Sequence, residues 1–167
     1  MSRDGRSASG GRGSMESVTG GDGRLAPLRP TEVTATLGGE DLCIAEARDL
    51  VADFLGGRIR TELGIPVSAR ALGDAQLVVS ELVTNARKYA PGPVSLELRL
   101  SRNAVVVAVR DTDPVLPVAR DADAHRVGQH GLEIVKAVAL AFEARREPTG
   151  KCLTATIALF DDLPPGP

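Results

Sequence analysis

Residues 68–90, SARALGDAQLVVSELVTNARKYA, decide the fold. Leu72, Ala75, Val79, Leu82, Val83, Ala86 and Ala90 recur at steps of three and four, the spacing that puts side chains on one face of an α-helix. Ser68 stands ahead of them as an N-cap, and Pro91-Gly92-Pro93 stops the run. Asp74, Glu81, Asn85 and Lys88 fall on the other side, within about 60° of one another by the same helical arithmetic. Glu81 and Asn85 are one turn apart, so both side chains can reach one object. A carboxylate can take a proton from a nucleophile, and an amide oxygen can ligate a hard cation such as Mg2+. Taken alone, the stripe has a simpler reading, a solvated polar face.

Outward from this helix, elements alternate. Val33 to Leu37 is short, alternating and β-branched, which predicts a strand. Glu40 to Phe54 predicts a helix ended by Gly56-Gly57. Beyond the long helix, Val94–Leu100 and Ala104–Arg110 predict strands joined by a turn at Ser101-Arg102-Asn103. The second of these, AVVVAV, is apolar throughout, as a strand covered on both faces is. Asp111 to His130 has two prolines, many charges and no periodicity, as functional lids or disordered segments do. Gly131 to Phe142 predicts a third helix, with Val135, Val138, Ala139 and Phe142 on one face. Glu143–Glu147 and Cys152–Phe160 predict a hairpin around Pro148-Thr149-Gly150. The order β-α-α-β-β-lid-α-β-β predicts an α+β two-layer sandwich, a mixed and mostly antiparallel sheet with helices on one face.

Two further positions bear on chemistry. Asp111 ends the apolar strand, where a carboxylate can point into a pocket and accept from an exocyclic amine, or simply start a turn. Gly128-Gln129-His130-Gly131-Leu132 opens a helix. Its glycines allow close backbone approach and its free N–H groups suit an anion, although GxxG also occurs as a plain helix entry.

Composition narrows the classes. Charged residues are 25% of 167 and the formal net charge is -2, which excludes a chain built mainly to neutralise nucleic-acid phosphates. Three Phe, one Tyr and no Trp leave no stacking platform for single strands. Cys43 and Cys152, with His125 and His130, have no metal-site spacing, and a reduced, cytoplasmic chain is expected. No run of apolar residues is long enough to cross a membrane, and no signal peptide opens the chain. Residues 1–30 are Gly-, Ser- and Arg-rich and lack core side chains, so they predict a disordered tail. The folded domain is expected over 31–161, with a flexible C-terminus at 162–167.

Together, ELVTNA at Glu81–Ala86, Asp111 after an apolar strand, the loop, and GQHGLEIV at Gly128–Val135 resemble the Bergerat-fold ATP-binding domain of gyrase, the histidine kinases and the heat-shock chaperone ATPases. The resemblance covers about Glu32 to Phe160 and is greatest to the small stand-alone branch, the anti-sigma-factor serine/threonine kinases and their actinobacterial relatives. It implies that Asn85 ligates Mg2+ bridging the ATP phosphates and that Glu81 is the general base on a substrate hydroxyl. It also implies that Asp111 accepts the adenine amino hydrogen, and that Gly128, Gly131 and the amides around Leu132 hold phosphates. Thr154 is expected near the adenine, and Lys88 within reach of phosphate. The implied partners are an anti-anti-sigma (STAS-like) protein, a sigma factor, or both. A homodimer is a further expectation, and neither nucleic acid nor a membrane is expected as a partner. The alternatives are a non-catalytic ATP-dependent binding module and a simple ATPase. The chain departs from the family at Asp111–Pro117, DTDPVLP, which lacks the DxGxG glycines. No dimerisation helix with a phospho-acceptor histidine is seen, so histidine autokinase activity is not expected, and His125 and His130 are expected to be non-catalytic.

Overall fold

Strand alternation and one long helix organise the molecule, whose computed structural model describes residues 31–38, 43–90, 92–117 and 130–161. The strands are β1 (Glu32–Leu37), β2 (Val94–Ser101), β3 (Ala104–Asp111), β4 (Ala141–Glu147) and β5 (Gly150–Ala158). They form one sheet in the order β1-β2-β3-β5-β4. Every neighbouring pair runs antiparallel, the limit of the mostly antiparallel sheet expected. Helices α1 (Cys43–Ala52), α2 (Ala69–Tyr89) and α3 (His130–Val138) accompany the sheet, and the fold is α+β as read from the sequence.

The strand period of two separates the faces. Leu96 and Leu98 of β2, Val105 and Val107 of β3, and Ala155 and Ile157 of β5 point to the helices and are at most 1% exposed. Val79, Leu82, Val83 and Ala86 of α2 meet them at 0% exposure. Each buried Val or Leu contributes about 1.5–3 kcal/mol relative to exposure, so this seam dominates stability. The other sheet face carries ions. Arg110 Nη1 lies 2.8 Å from Glu97, and Arg110 Nε lies 3.5 Å from Glu147, which also meets Arg145 at 3.3 Å. These pairs are part-exposed and worth at most about 1 kcal/mol each.

The cap on α2 forms as its sequence requires. Ser68 Oγ accepts from Ala71 N at 3.0 Å and donates to Asp161 at 3.2 Å. The helix is about 30 Å long at 1.5 Å per residue, enough to cross the sheet.

Two elements depart from the sequence reading. Gly56-Gly57 does not end the first helix, which continues as a π-helix over Asp53–Glu62. Leu63 N donates to Arg58 O at 3.0 Å and Thr61 Oγ1 to Gly56 O at 2.8 Å, both five residues back. Phe54, Leu55 and Ile59 are buried there. Their burial outweighs the roughly 1 kcal/mol each glycine costs a helix. Helix α3 stops at Val138 rather than Phe142, because the chain turns to pair with β5: Leu140 N donates to Thr156 O at 2.7 Å, and Phe142 sits opposite Ala155 inside β4. Cys43 and Cys152 are free and buried. Burial pushes the Cys43 thiol up, which makes it a poor nucleophile.

Candidate functional site

The polar stripe of α2 lies beside its buried seam, so packing of Leu82, Val83 and Ala86 fixes where Glu81 and Asn85 sit. Both are half-buried. Glu81 is held against the opening of α3. A Cβ built on Gly131 would overlap Glu81 Oε2 and stand 3.4 Å from Glu81 Cδ. Only glycine allows that approach without moving the carboxylate. Gly131 lies in the first turn of α3, where backbone N–H groups lack helical partners and the helix dipole is positive. The structure thus joins two sequence motifs 50 residues apart, the ELVTN helix and the GxxGL helix entry, in direct contact. Asn85 is one turn further along α2. Leu132, the next residue of α3, is half-buried and packs on the core. Lys88 is exposed, its Nζ 5.3 Å from the centre of the Tyr89 ring.

Asp111 ends β3 and is buried at 7% exposure. It does not stand alone. Lys151, its partner across β5, places Nζ 3.1 Å from Asp111 Oδ1 and 3.0 Å from Oδ2. The same ammonium lies 3.2 Å from Asp113 Oδ2 and 3.4 Å from Asp113 O. Asp113 N donates back to Asp111 Oδ1 at 2.9 Å, an Asx turn that folds the chain leaving β3. Val115 N then donates to Asp113 Oδ1 at 3.1 Å. That hydrogen bond, together with the Lys151 ammonium, outweighs desolvation and holds the Asp113 carboxyl below its ordinary value. Asp111 and Lys151 side chains are only 1% and 2% exposed. Each would be an expensive buried charge without the other. A glycine makes the pairing possible: at Gly150 φ is +155°, and a Cβ there would collide with the Asp111 carbonyl.

Lys151 is the site residue that sequence reading missed. A lone lysine after a turn looks solvated, and the available signal was its position opposite Asp111 once the hairpin register is known. The same register corrects Thr154. Lys151 and Leu153 point toward the helices, so Thr154 points to the opposite face, where its Oγ1 lies 3.6 Å from Cys152 Sγ. The sheet separates Thr154 from Asp111, and it does not join this constellation. Gly128 and His125 lie outside the described residues. Among the described residues no group of three or more His, Cys, Asp or Glu could hold a metal, and no helix is long and apolar enough to cross a membrane. A cavity of about 320 Å³, bounded by Val33, Leu50, Phe54 and Arg58 among others, lies between β1 and the π-helix and shares no residue with the site.

Residues 44–157 match the family described as the histidine kinase-like ATPase domain. That span is well over half of the 167 residues, and the chain belongs to this family. A comparison with curated proteins finds no match. The family is one of ATP-binding domains, and the match includes Glu81, Asn85, Asp111 and Gly131.

Proposed function

We propose, from family membership together with the Glu81–Gly131 contact, that this protein binds ATP with Mg2+ and transfers the γ-phosphoryl group to a serine or threonine of a small regulatory protein. The carrying observation is that one carboxylate touches the open end of α3, one turn from an amide side chain. Phosphoryl transfer needs positioning and charge neutralisation more than covalent help. The α3 N-terminus supplies N–H donors for phosphate oxygens, with Gly131 and the Leu132 amide nearest. Asn85 offers an oxygen ligand suited to Mg2+, which keeps several waters and takes its other ligands from phosphate. When bound, the cation supplies neutralising charge. Glu81 accepts the proton of the attacking hydroxyl. The hydroxyl oxygen bonds to the γ-phosphorus, the bond to the β-phosphate oxygen breaks, and ADP leaves. Asp111 reads the base as an acceptor from the adenine amine. Lys88, exposed three residues beyond Asn85 and therefore near it on the same helix face, offers a basic group for a phosphate oxygen. The partner class, an anti-anti-sigma protein of the STAS type with a sigma factor as the sequestered species, rests on the resemblance of the ELVTN and GxxGL motifs to the stand-alone kinases. Homodimerisation rests on the same ground.

The test is incubation with radiolabelled ATP and candidate antagonist proteins, beside calorimetry of nucleotide binding. Glu81→Gln keeps size and helix propensity and should abolish label transfer while ATP affinity stays near normal. Asn85→Ala should weaken Mg2+-ATP binding and transfer together, and affinity should lose its dependence on Mg2+. If wild type and Glu81→Gln are equally inert with every partner while ATP still tightens partner binding, the protein is a binding module rather than a kinase.

A further inference from the structure

The buried Asp111–Lys151 pair, with the part-exposed Asp113 beside it, lies where the proposed function needs a base-reading carboxylate, yet Lys151 has no assigned part in that reading. Counting lone pairs gives it one. A carboxylate oxygen offers two acceptor positions. On Asp111, Oδ1 accepts from Asp113 N at 2.9 Å and from Lys151 Nζ at 3.1 Å, and both positions are used. Oδ2 lies 3.0 Å from Lys151 Nζ as an ion-pair contact, while the three ammonium protons go to Asp111 Oδ1 and to Asp113 Oδ2 and O, so Oδ2 keeps its acceptor capacity. The ammonium is itself fully engaged, by Asp111 on one side and by Asp113 Oδ2 and O on the other. It therefore has no proton left to offer a ligand.

We infer that Lys151 is a specificity-determining positioning residue, which fixes the buried Asp111 carboxylate as a pure acceptor whose Oδ2 is left for the exocyclic amine of a purine. The physical step is charge compensation. A carboxylate 1% exposed and without a cation takes up a proton instead of remaining charged. A protonated carboxyl can donate as well as accept. It would then pair with a carbonyl at the purine 6-position as readily as with an amine. With the ammonium in place the carboxylate only accepts, so it rewards the 6-amino purine and repels the 6-oxo one. Asp113 serves the ammonium from the other side, and its own carboxylate is tied down by Val115 N. Arg110, the adjacent charge on β3, is turned to the opposite sheet face with Glu97 and Glu147 and does not share this role. The inference rests on Asp111 as the base acceptor.

The experiment compares ATP with inosine triphosphate, which differs at the 6-position by carrying oxygen in place of the amine. Affinities are measured by calorimetry for wild type, Lys151→Met and Lys151→Arg, with thermal melts alongside. Wild type should prefer ATP by at least about tenfold, the worth of one charge-assisted hydrogen bond. Lys151→Met should bring the two affinities within about threefold of each other, and Lys151→Arg should restore the preference. If the Met variant does not fold, Lys151→Gln, which keeps an N–H donor but no charge, should give the same collapse. A purely structural lysine would weaken both nucleotides equally and leave their ratio unchanged, which overturns the inference. So does a gain in ATP affinity on removing Lys151, because the ammonium would then be competing with the base. If wild type binds ATP without preference over inosine triphosphate, Asp111 is not the base acceptor. If wild type binds no ATP at all, the functional reading itself has failed.

Discussion

Gly150→Ala should be among the most damaging single-methyl changes available to this protein. The residue has φ of +155°, where a side chain is strained, and a Cβ at this position would collide with the Asp111 carbonyl and approach Thr112 Cα to 2.8 Å. Both neighbours are backbone, so no rotamer change relieves the overlap. Either the β4–β5 hairpin must lift off the end of β3 or β3 must bend. Backbone strain of this kind costs about 1–3 kcal/mol. Forcing an extra carbon into packed structure costs about 1–3 kcal/mol more. A combined cost near 4 kcal/mol is a large share of the roughly 5–15 kcal/mol that stabilises a domain. At about 4 °C per kcal/mol for a domain of this size, the melting temperature should fall by roughly 15 °C. Gly73→Ala is the matched control. Gly73 lies in α2, is exposed, and would place its Cβ in open space. The helix gains about 0.5–1 kcal/mol from the same methyl group, a rise of a few degrees. Circular dichroism melts of the two variants should therefore move in opposite directions. A Gly150→Ala melt within about 2 °C of wild type would refute the strand-end geometry on which the Asp111–Lys151 pairing depends.

Three other outcomes follow from the same geometry. Gly131→Ala meets only the far end of the flexible Glu81 side chain, so the melt should shift by less than about 1 kcal/mol in equivalent stability. Label transfer should nevertheless fall by about tenfold or more, because the carboxylate is displaced. Unchanged transfer would remove Glu81 from the base role. Asp111→Asn should weaken ATP binding by about 1.5–3 kcal/mol, roughly 10- to 100-fold in calorimetry. It should also lower stability in urea by about 3 kcal/mol, because Lys151 keeps only Asp113 as a charged partner. Asp113 has its folded-state carboxyl held down by the Val115 N–H and the Lys151 ammonium, so its stabilisation is present above its unfolded value of about 4 and is lost as pH falls through the lower folded value. Urea midpoints should fall more steeply for wild type than for Asp113→Asn between about pH 5 and pH 2, and parallel curves would show that the shift carries no stability.

What was legible in the sequence was local. The period of α2, its Ser68 cap and the contrast between its two faces belong to consecutive residues, so the helix and its Glu81–Asn85 stripe could be read directly. So could the apolar strand that Asp111 terminates. The π-helix over Asp53–Glu62 could not, because Gly56-Gly57 signals a stop locally and only the burial of Phe54, Leu55 and Ile59 against the rest of the fold overrides it. The misplacement of Thr154 has a different cause. Sequence shows that a strand alternates but not which parity faces the helices until its partner register is known, and a shift of one residue exchanges the faces. With Asp111 opposite Lys151, the odd-numbered residues of β5 face inward. Parity therefore assigns Thr154 to the ion-bearing face and puts Lys151 beside Asp111. Register is also what makes Lys151 readable at all. Forty residues separate it from Asp111 in the chain, and nothing local distinguishes it from a solvated lysine after a turn. The candidate-site residues sit on α2, at the end of β3, at the start of β5 and at the start of α3, where separate segments meet. Their chemistry was written in the sequence, whereas their company, the Glu81–Gly131 contact and the Asp111–Lys151 pair, is a product of tertiary pairing.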